Sequence, residues 1–120
     1  MEIITEKITI TGLKEMAEKM FGNLVKAVID TEQGIMAIDG ELHADEQALL
    51  LEKGSEQKNL WGINIYPEKT GEDFIEFDSV INIRPSQQNR SRGVDDLEIR
   101  KKILEIVNKL IENGLPAQRT

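Results

Sequence analysis

Apolar positions recur along this chain with two different periods, and the changes of period divide it into elements. Residues 60–66 and 74–84 alternate. In the first run Trp61, Ile63 and Ile65 share one face and Gly62, Asn64 and Tyr66 the other. In the second, Ile75, Phe77, Ile81 and Ile83 oppose Glu76, Asp78, Asn82 and Arg84. Period two marks a strand with one buried side. Each run closes on Ile-Asn-Ile-X-Pro, at 63–67 and 81–85, and proline, with no N–H to give a ladder, ends both strands. Residues 67–73 join them as a hairpin loop. Residues 25–30 and 35–39 flank Thr-Glu-Gln-Gly and predict another hairpin, in whose register Lys26 stands opposite Asp39. Isoleucine and threonine near the start predict a short strand at 2–6.

Two stretches follow the helical period. Leu13, Met16, Ala17, Met20 and Phe21 form one stripe, predicting a helix near 11–21 capped by Thr9 or Thr11 and stopped by Gly22. Leu97, Ile99, Ile103, Ile106, Val107, Leu110 and Ile111 form a broader one, predicting a helix over 95–113. Asp95-Asp-Leu-Glu supplies its cap, and Asn113-Gly114 and Pro116 stop it, leaving 115–120 as a frayed tail. The apolar run 48–52 is ambiguous in period, and the Gly54-Ser55 that closes it favours a strand. The elements assemble as an α+β fold: a mostly antiparallel sheet of five to six strands, with two helices packed on one face. Residues 1–120 read as a single domain.

Charge and composition narrow the function classes. There are 22 Asp and Glu against 15 Lys and Arg, a formal net charge of −7, which argues against nonspecific contact with nucleic acid or anionic lipid. No run approaches the length of a membrane span, and the first residues lack a signal-peptide pattern. Cysteine is absent, which excludes disulfides and thiolate metal sites and fits a cytoplasmic protein. No cofactor motif is present.

Two polar constellations carry candidate chemistry. The longest acid-free run, 79–94, holds Arg84, Asn89, Arg90, Ser91 and Arg92. Arginine forks phosphate or carboxylate, and the following helix would add its positive end, so this run is the expected site for a small anionic ligand. Asp95 and Asp96 at that helix start, and pairing of Arg84 with Glu76 or Asp78, oppose it. The second constellation is Glu41-Leu-His43-Ala-Asp45. In extended backbone these three polar side chains share a face, where they could hold Mg²⁺ or Mn²⁺ or do acid–base work. His43 is the one histidine, so a histidine-rich zinc site is excluded. A solvated connecting loop is the commoner source of so short an alternation on an acidic protein. Ser55, Ser79, Ser86 and Ser91 are the available hydroxyl nucleophiles beside that one imidazole, and nothing in their spacing joins them to it.

The segments 40–45, 60–67 and 81–85, with Asn89, Ser91, Ile99 and Arg100, resemble a family of short bacterial and archaeal proteins of about 110–120 residues known only as a domain of unknown function. The resemblance covers almost the whole chain and carries no activity, cofactor or site residue. Two readings follow from the residues. One is a binding or interaction module, with homodimerisation through an open sheet face or edge strand compatible with it. The other is a small enzyme using His43 and Asp45 on a phosphorylated or carboxylated ligand held by Arg84. Convergence of His43, Asp45, Arg84 and Asn89 in one pocket would favour the second.

Overall fold

The computed structural model describes residues 1–112. The expected stop signals after 112 and the tail at 115–120 lie outside the described residues. Five strands form one antiparallel sheet in the order β1-β4-β3-β5-β6: β1 Glu2–Ile4, β3 Val25–Asp30, β4 Ile35–Ile38, β5 Leu60–Ile65 and β6 Ile75–Glu76. A parallel pair stands apart, β2 Ile8–Thr9 with β7 Ile111–Glu112. Among the described residues three α-helices complete the fold: α1 Ile10–Lys19, α2 His43–Glu52 and α3 Leu97–Leu110.

Helices α1 and α3 pack in the larger core on one face of the sheet, and the expectation of two helices in all is corrected by a third, α2. Leu13 and Ala17 of α1 and Ile103, Ile106, Val107 and Leu110 of α3 meet Ala27, Ile29, Met36, Ile38, Trp61, Ile63 and Ile65 in the larger core. Thr9 caps α1 by accepting from the Gly12 N–H at 3.0 Å, and Gly22, at φ 91°, closes the helix end through Ala17. Asp96 caps α3 by accepting from the Glu98 N–H.

The opposite face departs from expectation. Residues 48–52 belong to α2, not to a strand, and Leu50 packs there with Val28, Ala37 and Leu60. The helix was hidden because its buried positions are His43, Glu46 and Leu50. Two polar side chains on the inner face erase the apolar stripe, while Ala44, Ala48 and the leucines keep helix propensity high.

The hairpin register holds as expected, with Asp30 opposite Ile35 and Ala27 opposite Ile38. The Lys26–Asp39 pair does not form. Asp39 turns into the left-handed region at φ 65°, its carboxylate lies 3.9 Å from the Met1 ammonium, and Lys26 Nζ sits over the Phe21 ring.

The long strand expected at 74–84 is the second correction. Pairing stops at Glu76, and the chain then turns through Val80–Asn82 and Pro85–Gln87. The place of the missing ladder is taken by a side chain. The Asn82 amide accepts from the Gly62 N–H at 2.8 Å and donates to the Gly62 carbonyl at 2.9 Å. Ile81 is thereby turned onto the α2 face, and Ile83 is left exposed.

Candidate functional site

The acid-free run folds into a bracket against β5. Asn82 also donates to the Arg92 carbonyl at 3.0 Å. Asn89, likewise buried, donates to the carbonyls of Asn82, Ser91 and Gly93 and accepts from the Asp95 N–H. Arg84 is nine-tenths buried. Its guanidinium donates to the carbonyls of Gln57 and Leu60 and lies 4.0 Å from the Trp61 ring centre. Burial lowers its proton affinity. The acids named as its rivals have other partners. Asp78 takes Arg92 at 2.6 Å, which raises the Arg92 pKa, and Glu76 accepts from Asn64 and from the Tyr66 hydroxyl. Ser91 bonds Asp95. Arg90 is exposed and forms no ion pair among the described residues.

Glu41, His43 and Asp45 do not share a face, because His43 opens α2. Glu41 and Asp45 are exposed while His43 is buried. The His43 Nε2 is 2.7 Å from the Ile63 carbonyl and donates to it. Burial pulls its pKa below 6.5, so the ring is neutral at pH 7. Gly62 makes the approach of the covering segments possible. A Cβ there would meet Ser79 Cβ at 2.6 Å and His43 Cδ2 at 3.2 Å. Among the described residues no three or more His, Asp or Glu are placed to hold a metal ion. His43, Arg84 and Asn89 have separate anchor points, on Ile63, on Gln57 with Leu60, and on Asn82 with Gly93. Asp45 lies on yet another surface.

That surface is a cleft of about 530 Å³ between α2 and the ends of β1 and β4. Met1, Met20, Ala48 and Leu49 give it an apolar lining, and Asp39, Glu41, Asp45 and Glu52 line it with carboxylates. Among the described residues no Lys or Arg side chain lines it. Behind it stands Glu46, fully buried, whose Oε2 accepts from the Gly40 N–H at 2.9 Å. Its Oε1 has no partner among the described residues. Loss of hydration raises the Glu46 pKa to about 9, so the carboxyl is neutral at pH 7. Gly40 is the floor between cleft and carboxyl; a Cβ there would lie 2.7 Å from Glu46 Cγ.

Residues 39–52 hold five acids and no Lys or Arg. That bias was visible in the sequence, and it was the available signal for Asp39, Glu46 and Glu52. It says nothing about which carboxylates face a cleft and which is buried.

The fold and the bracket define a small α+β protein with a five-stranded antiparallel sheet covered on both faces. The chain belongs to the DUF5674 family, described as a protein of unknown function, whose model matches residues 2–110. Comparison with curated proteins and with solved structures gives no match.

Proposed function

We propose that this chain is a binding module, and that it engages a cationic, partly apolar segment of a partner protein through the cleft between α2 and the β1–β4 edge. The observation that carries the reading is the pairing of an apolar lining with four carboxylates and, among the described residues, no lining Lys or Arg. Met1, Met20 and the neighbouring Phe21 are exposed large apolar side chains, unusual company for a purely solvated acidic face. A cysteine-free sequence suits such a module in the reducing cytoplasm.

The acid–base reading has less support. His43 spends its Nε2 proton on a backbone carbonyl, and Asp45 lines the cleft. The anionic-ligand reading rests on Arg90, with Arg92 held by Asp78 and Arg84 by carbonyls.

Amide NMR titration separates the binding readings. The probes are an octapeptide of alternating Leu and Lys, its Leu and Glu counterpart, and inorganic phosphate. The Lys peptide should give saturable shifts at residues 39–52 and near Met20, and the Glu peptide none. Saturable shifts around 84–95 with phosphate, and none at the cleft with the Lys peptide, would replace this reading with the anion site.

A further inference from the structure

Glu46 is one feature of this fold that packing alone leaves unexplained. It is fully buried, one carboxyl oxygen has no partner among the described residues, and it presses on the backbone of a residue that lines the cleft. Native proteins rarely leave a buried polar atom unpaired. The charges that reach it are Lys26 on β3, Asp39 beyond β4 and the Met1 ammonium ahead of β1; His43 and Asp45 are its neighbours on its own helix. The Met1 ammonium lies 3.9 Å from Asp39. Glu41, Asp45 and Glu52 form no ion pair among the described residues. A lysine side chain fits this lining better than arginine. Its four-carbon stem can lie on Met1, Met20 and Leu49, and its head is a compact point charge that needs no planar fork of acceptors.

We infer that the cleft takes the lysine ammonium of a partner segment, and that seating it drives the proton off Glu46. The inference rests on the binding reading above. A positive charge held near Asp39 and Gly40 stabilises the Glu46 carboxylate across the thin floor of the cleft and leaves the acid form unaffected, so the proton leaves to solvent as the ammonium arrives. By reciprocity, ionised Glu46 strengthens the hold on the ammonium.

The test follows the Glu46 carboxyl carbon by NMR from pH 6 to 9.5, with and without the saturating Leu/Lys octapeptide, alongside affinities at the two ends of that range. The expected result is a Glu46 titration moved to lower pH on binding. Affinity should rise by about tenfold for each unit of movement. Glu46→Gln, which keeps an acceptor for the Gly40 N–H, should still bind but lose the rise in affinity that Glu46 ionisation supplies, keeping only the pH dependence of the amines of peptide and protein. Identical Glu46 titration with and without bound peptide overturns the inference and leaves the binding reading intact. The same pH dependence in Glu46→Gln also overturns it. Equal affinity for the Leu/Arg peptide would remove the lysine assignment, and tighter binding of spermidine than of the peptide would remove the partner segment. Absence of saturable peptide binding would instead remove the binding reading itself.

Discussion

Glu46 keeps its proton because ionising it would place a charge in the interior with one hydrogen bond to hold it. The consequence for stability has a definite sign. In the unfolded chain this carboxyl titrates near its ordinary 4.5, and in the folded protein near 9. Below pH 4.5 both states carry the proton. Between the two values the unfolded chain releases it and the folded chain does not, so stability falls as pH rises across that window and levels off beyond it. Glu46→Gln removes this dependence. The variant should be more stable than the parent at pH 8 by on the order of a few kcal/mol, with little difference at pH 4. Urea unfolding at both pH values measures this; an equal or lower midpoint for the variant at pH 8 would mean that Glu46 is ionised in the fold. His43, with its lowered pKa, acts in the opposite direction, losing stability as pH falls below its unfolded value near 6.5.

At the scale of elements, the outcome turns on how local each signal was. The β3–β4 hairpin and α1 were legible because turn residues and caps lie within a few positions of what they organise: Gly34, Thr9 and Gly22 all take the expected roles. Helix α2 was not, because its inner face carries His43 and Glu46, and their partners, Ile63 and Gly40, are set by tertiary packing. The end of β6 was hidden for a related reason. Alternation continues through residue 84, and only the Asn82 amide bonding Gly62 shows that the chain has left the sheet. Among the candidate site residues, the sequence marked Arg84 and Asn89 for an anionic ligand, but it could not show that backbone carbonyls take the terminal nitrogens of Arg84 and the amide of Asn89. The bracket makes its own prediction. Asn82→Ala strands the Gly62 N–H and carbonyl without ladder partners and frees the Arg92 carbonyl, and should cost about 2–5 kcal/mol. Ser86→Ala, on the exposed turn nearby, should stay within about 0.5 kcal/mol. Equal unfolding midpoints for the two variants would show that the bracket does not hold the 79–94 segment to β5.

The whole molecule carries a formal charge of −7, which draws any cationic partner toward it over distances set by salt. Overall charge and the local cleft therefore make overlapping predictions, and one comparison separates them. The affinity of the Leu/Lys octapeptide is measured at about 0.1 M salt for the parent and for two triple variants that each remove three negative charges. Asp39→Asn, Glu41→Gln and Glu52→Gln alter the cleft; Glu15→Gln, Glu72→Gln and Glu105→Gln alter exposed positions away from it. The account predicts that the cleft variant loses about tenfold or more in affinity while the distant variant stays within about twofold of the parent, since exposed charge pairs are individually worth well under 1 kcal/mol and act only at close range. Equal losses in the two variants would contradict it, showing that the peptide reads the net charge of the protein and not the cleft.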